Sequence, residues 1–268
     1  MILTKGTVYL VGAGPGDPKL ITVYGLECIQ KADVILYDRL VNKELLNHAQ
    51  PEAELIFCGK LPGKHELIQE QINALMVEKA LEGRNVTRLK GGDPCVFGRV
   101  GEEAEVLAEH KIKFEIVPGI TSGIAAPAYA GITVTHRDYA SSFAIVTGHG
   151  RAEKQQDHIN WSALAQGIDT IAFYMGVGNL DYICKKLIDN GKKADTPVAV
   201  INWGTTEKQK TLTGTLTTIE QLVKQAGVMH PSMIIVGEVV NLRQKIQWFE
   251  EIKLDHKKEA ESCQSSVN

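Results

Sequence analysis

Val8-Tyr9-Leu10-Val11-Gly12-Ala13-Gly14-Pro15-Gly16-Asp17 is an apolar run that ends abruptly in a glycine turn. Apolar residues at successive rather than alternate positions predict a strand buried on both faces. Such strands belong to parallel sheets with helices packed on either side. Glycine has no Cβ, so the turn lets backbone come close to a ligand. The spacing departs from the dinucleotide fingerprint G-x-G-x-x-G, because Asp17 stands where the third glycine belongs. Pro15 also withdraws an amide that a phosphate would use. Asp38, just after the next apolar run, could serve as a ribose-binding acid. A nicotinamide-dependent dehydrogenase therefore stays open, beside a plain tight turn with no ligand.

The same pattern continues outward from this stretch. Val34-Ile35-Leu36-Tyr37, Leu55-Ile56-Phe57, Val86 to Leu89 and Phe114 to Val117 predict further strands. Apolar residues at helical spacing predict helices over Leu20 to Lys31, Glu66 to Leu81 and Glu102 to His110. Pro118-Gly119 punctuates the chain. Beyond it, Phe143 to Thr147, Thr170 to Tyr174, Val198 to Ile201 and Met233 to Val236 predict strands, with helices over Leu180 to Asp189 and Ile219 to Gln225. The expected class is α/β, with mostly parallel sheets in two domains, 1–118 and 119–245. A tail over 246–268 follows, polar and expected to fray from Lys257.

Composition narrows the functions. The 268 residues are 44% hydrophobic and 23% charged, as in ordinary globular proteins. A net charge of −3 argues against a nucleic-acid partner bound by phosphate neutralisation. The five cysteines form no CxxC pair, so neither a disulfide framework nor a thiolate metal site is expected. His136 and His149 stand apart from other ligand types, and no metal is expected. The start, MILTKGTVYLVGAG, lacks the features of a signal peptide, and no apolar run reaches membrane-spanning length. A cytoplasmic protein without a membrane partner is the expectation.

Two more glycine loops follow strands. Leu89-Lys90-Gly91-Gly92-Asp93-Pro94 can line a pocket with backbone, and Asp93 can accept hydrogen bonds from ribose hydroxyls or an ammonium. In Val117-Pro118-Gly119-Ile120-Thr121-Ser122, Thr121 or Ser122 can cap the helix that follows. Open α/β sheets place ligands at these strand ends.

The stretches VYLVGAGPGDP, ADVILYDRLV, RLKGGDPCVFGRVGEEAE, VPGITSGIAAPAYAGITVTHRDYASS and VGEVV together resemble the uroporphyrinogen-III C-methyltransferases. The first turn and the GGDP loop are shared with the wider class of tetrapyrrole methyltransferases. The resemblance covers nearly the whole chain outside the tail. It implies two α/β domains with S-adenosylmethionine in the cleft between them, S-adenosylhomocysteine as product, and a homodimer. The reaction it implies is methylation of uroporphyrinogen III at C-2 and C-7, giving precorrin-2 by way of precorrin-1, for sirohaem or cobalamin. By matched positions, Pro15, Gly91, Gly92, Asp93, Val96, Thr121, Ser122, Met175 and Gly204 would contact the cofactor. Asp38 matches the proposed base and Lys60 the proposed proton donor.

The substrate carries carboxylates, which arginine suits by bidentate pairing. The expected binders are Arg39, Arg99, His136 and Arg137, with Arg151, Lys64 and His149 as further candidates. Thr135 to Ser142 concentrates donors and is the preferred recognition segment. A later precorrin methyltransferase and a non-catalytic sensor of S-adenosylmethionine or a tetrapyrrole are the competing readings.

Overall fold

The structure is a computed structural model that describes residues 5–59, 68–148 and 159–250. The chain divides into two compact units, Met1–Ser122 and Gly123–Asn268. The expected helix start at Glu66 and the fraying tail lie outside the described residues.

In the first unit, β1 (Val8–Gly12), β2 (Val34–Tyr37), β3 (Glu54–Phe57), β4 (Val86–Lys90) and β5 (Phe114–Val117) form one sheet in the order β3-β2-β4-β1-β5. Every pairing is parallel. The apolar runs earn this burial on both faces. Val8 and Leu10 pack with Met76 of α2 (Gln69–Leu81) and Leu107 of α3 (Val100–Glu109). Val11 and Ile35 turn the other way, onto Cys28 and Ile29 of α1 (Val23–Gln30). Truncating one such side chain to alanine costs about 2–5 kcal/mol.

The first helix starts later than its periodicity suggests. Asp17 accepts a hydrogen bond from the Lys19 amide at 2.9 Å and starts a short 3₁₀ turn, Pro18–Leu20. The chain then extends at Ile21 and Thr22, and the Thr22 hydroxyl caps α1 by accepting from Gly25 N at 3.0 Å. Two local caps compete for one apolar stretch and divide it.

The second unit begins with α4 (Ser122–Tyr129), whose first residue closes the first unit. Next come β6 (Phe143–Thr147), α5 (Trp161–Gly167), β7 (Thr170–Tyr174), α6 (Leu180–Asp189), β8 (Pro197–Asn202), β9 (Lys210–Thr215), α7 (Ile219–Gln225), β10 (Ser232–Val236) and the short α8 (Arg243–Ile246). Its sheet runs β6-β7-β10-β8-β9. The β6–β7 pair is parallel, while β7–β10, β10–β8 and β8–β9 are antiparallel. The expectation of a mostly parallel sheet is therefore corrected here. The α/β logic survives, because β6, β7 and β8 all point one way, linked by α5 and α6. Two strands of opposite direction join them: β9 returns from β8 on the edge, and β10 inserts between β7 and β8. Among the described residues no helix is long and apolar enough to cross a membrane.

Candidate active site

Three strand-end loops of the first unit meet through glycine. Gly14 and Gly92 exchange backbone hydrogen bonds of 3.1 and 2.7 Å, which ties the loop after β1 to the loop after β4. A Cβ on Gly12 would lie 2.6 Å from the Cα and nitrogen of Gly119, in the loop after β5. The closeness of these backbones requires glycine there. Gly92 has φ +72°, the left-handed region, but an added Cβ would find no atom nearer than 3.9 Å. A Cβ there would touch the Thr121–Ser122 backbone at ordinary contact distance, so the left-handed φ, not crowding, is what calls for glycine in this loop. Thr121 is buried, and Ser122 begins α4.

Asp93 binds this arrangement internally. One carboxylate oxygen accepts from Cys95 N at 2.8 Å, and the other from Gly119 N at 2.9 Å. Asp93 thus shapes the loops. Val96 is half-buried in the same loop, where Phe97 and Arg99 take φ of +56° and +58°. Non-glycine residues in this region cost about 1–3 kcal/mol each and cluster at functional loops.

The loop after β2 abuts the same place. Asp38 N donates to Leu89 O at 3.2 Å, and a Cβ on Gly91 would stand 3.2 Å from the Leu40 Cβ. The Asn42 amide donates to Gly16 O at 2.8 Å, joining this loop to the first turn, where Pro15 is half-buried. The Asp38 side chain pairs with a buried arginine. Its Oδ1 accepts from Arg88 Nη2 at 2.5 Å. Arg88 is 2% exposed and Asp38 34%, so a buried cation holds a carboxylate that reaches solvent. Arg39 is exposed in the same loop.

Arg99 stands exposed at the start of α3, with its fork occupied by Glu102 at 2.8 and 2.6 Å. Such surface pairs contribute about 0–1 kcal/mol, so Arg99 exchanges partners at little cost. Lys60, with Lys64, His149 and Arg151, lies outside the described residues.

Sequence reasoning missed Arg88, Lys90 and Glu103. A signal was present: two cations at alternate positions in the strand Val86–Lys90, every residue of which is buried. Charges in a central parallel strand are rare unless paired.

The second unit carries the other candidates. Met175 follows β7 with φ +54°, half exposed; Trp203 and Thr205 flank Gly204 at φ +48° and +67°. A Cβ on Gly204 would meet the Ala126 Cβ at 2.5 Å, so close packing on α4 already demands glycine there. His136 bridges to Ala140, its Nδ1 accepts from the Asp138 amide at 3.1 Å, and Arg137 beside it is exposed. The donor-rich segment is partly committed elsewhere. The amides and hydroxyls of Ser141 and Ser142 all donate to one oxygen of Asp169, at 2.8 to 3.0 Å.

The Ser141 amide, then the Ser142 hydroxyl, holds the Asp169 carboxyl below its ordinary range. A depressed carboxyl stabilises the fold above the unfolded value of about 3.9, and that contribution disappears as pH falls through the folded value. Between about pH 5 and pH 2 the melting temperature of the wild type should fall more steeply than that of Asp169→Asn. Parallel curves would remove this account of Asp169.

The family of Tetrapyrrole (Corrin/Porphyrin) Methylases matches over residues 7–220. A uroporphyrinogen-III C-methyltransferase of Priestia megaterium is 63% identical over 236 residues, 88% of this chain and 99% of that one. The structure of a uroporphyrin-III C-methyltransferase from Thermus thermophilus complexed with S-adenyl homocysteine is 36% identical, with TM-score 0.75, covering 88% of this chain and 100% of that one. A cobalt precorrin-4 methyltransferase structure is 32% identical, with TM-score 0.78, covering 87% and 95%. Matched by the family profile along most of its length, the chain belongs to the tetrapyrrole (corrin/porphyrin) methylases.

Proposed function

We propose that the chain methylates carbon atoms of uroporphyrinogen III, at C-2 and C-7, giving precorrin-2 by way of precorrin-1 and supplying sirohaem or cobalamin synthesis. The near-full-length likeness to a uroporphyrinogen-III C-methyltransferase carries this reading.

The site residues support it. The glycine cradle at Gly91 and Gly92 suits a folded, phosphate-free cofactor, since Pro15 withholds an amide that a phosphate would need. S-adenosylmethionine, when bound, supplies an electrophilic methyl on a sulfonium. Pro15, Gly91, Gly92, Asp93, Val96, Thr121 and Ser122 would hold it, with Met175 and Gly204 as the second unit's contributors. Alignment and exclusion of water are the main contributions of such residues.

A pyrrole carbon that gains a methyl leaves a cationic ring that must lose a proton. Asp38, partly exposed and paired with the buried Arg88, is the proposed acceptor. Lys60 is the proposed proton donor. Arg39, Arg99, His136 and Arg137 are the proposed partners of the substrate carboxylates. A cytoplasmic homodimer completes the proposal, and light scattering at twice 29.3 kDa would support the dimer.

Incubating the protein without oxygen, with uroporphyrinogen III and labelled S-adenosylmethionine, tests the reading. Product mass should rise by two methyl increments. No methylation of uroporphyrinogen III, with turnover of a later corrin intermediate instead, would favour the second reading. That reading draws on the likeness to the cobalt precorrin-4 methyltransferase.

A further inference from the structure

Arg88, which holds Asp38, belongs to a buried cluster of charges whose other members no step above uses. Arg88 and Lys90 stand two apart on β4 and so share a face of the sheet. Both reach the same atom, Oε1 of Glu103 on α3: Arg88 Nε at 3.2 Å and Lys90 Nζ at 2.8 Å. Gln69 Nε2 donates to that oxygen too, at 3.2 Å, and to Asn73 Oδ1 at 2.9 Å. Glu103 is 0% exposed and Lys90 4%. The second oxygen of Glu103 is buried with no hydrogen-bond partner among the described residues.

Stability does not explain this arrangement. Buried ion pairs repay their desolvation poorly, and apolar residues of the same volume often serve a fold better. An orphaned buried oxygen adds to the cost. The charges also fail to balance within the interior, where two cations face one carboxylate. Asp38 supplies the fourth charge, 2.5 Å from Arg88, and it alone of the four is substantially exposed.

We propose that Glu103 is a positioning residue for the proton-accepting step: by sharing Arg88 with Asp38, it holds the Asp38 carboxylate in place without letting the ion pair consume it. The inference rests on the base role proposed for Asp38. Without the charge of Glu103, two cations would press on Asp38 alone, tightening its pairing and weakening it as a proton acceptor. The nature of Lys90 fits this division. Burial, then Arg88, drives its ammonium below the ordinary lysine range, while Glu103 opposes them.

The test compares wild type, Glu103→Gln and the double variant Lys90→Met/Glu103→Gln. Glu103→Gln should lower kcat for methylation of uroporphyrinogen III by about tenfold to a hundredfold, the scale of a misplaced catalytic group. Its KM for S-adenosylmethionine and its affinity for S-adenosylhomocysteine should stay within about twofold of wild type. The double variant restores one cation against one carboxylate and should recover most of the lost kcat. Wild-type kcat in Glu103→Gln overturns the proposal. So does a double variant that is slower than the single one, with both losses tracking melting temperature, because that is the mark of a packing role. Should Glu103→Gln not fold, the double variant carries the test alone: near-normal kcat is expected, and a loss matching that of Asp38→Ala overturns the proposal. A wild type that does not methylate uroporphyrinogen III refutes the proposed function instead.

Discussion

Replacing Asp38 with alanine should slow methyl transfer by about 10²–10⁴-fold, the usual contribution of a positioned general base, and leave cofactor affinity unchanged. The geometry separates the two effects. The Asp38 side chain is spent on Arg88 and on solvent, whereas the glycine cradle is built from backbone. Losing the carboxylate leaves Arg88 with Glu103 at 3.2 Å and the Leu36 carbonyl at 3.4 Å, so the guanidinium is not abandoned. Asp38→Asn guards against misfolding, since its amide oxygen can still accept from Arg88 but is a far poorer proton acceptor. Both variants should bind S-adenosylhomocysteine with wild-type affinity in a calorimetric titration. Both should fail in a single-turnover assay with labelled cofactor. Near-normal turnover in either one would end the base assignment.

Gly92→Val should remove cofactor binding from a protein that still folds, an affinity loss of about a hundredfold or more. Two features of Gly92 support this. Its φ of +72° costs a β-branched residue about 1–3 kcal/mol, a loss of a few degrees in melting temperature for a chain of this size. Its missing Cβ would meet the backbone of Thr121 and Ser122 at 3.9 Å, an ordinary contact, so the fold tolerates the Cβ while the valine methyls crowd the loop proposed to hold the cofactor. Gly12→Val is the contrast. There the new Cβ would be forced to 2.6 Å from the backbone of Gly119, and loss of folded protein is expected. Unchanged affinity for S-adenosylhomocysteine in Gly92→Val would sink the cradle.

The first unit was largely legible in the chain. Runs such as Val34 to Tyr37 are apolar on both faces, and glycine marks the strand ends where backbones must touch. The second sheet was less so. β9, Lys-Thr-Leu-Thr-Gly-Thr, is a polar edge strand whose exposure erases the apolar signal. The direction of β10 depends on which neighbours it joins, and periodicity carries no such information. In the site, the residue types that bear chemistry were visible, but their partners were not. Arg88 meets Asp38 from 50 positions away, and Asp169 gathers Ser141 and Ser142 from 28 and 27. A donor-rich segment looks the same whether its donors face a ligand or an internal carboxylate.

The place of β10 also sets an order for synthesis of the second unit. The strand that bridges β7 and β8 comes last of the five in the chain. On the ribosome, β6–β7 and β8–β9 can each pair as they emerge, but they remain two separate ribbons. Until Ser232–Val236 leaves the exit tunnel, β7 and β8 expose unpaired edges, the kind that recruit chaperones or aggregate. A stop codon ahead of this strand therefore removes more than a C-terminal piece, because it leaves the sheet without its middle.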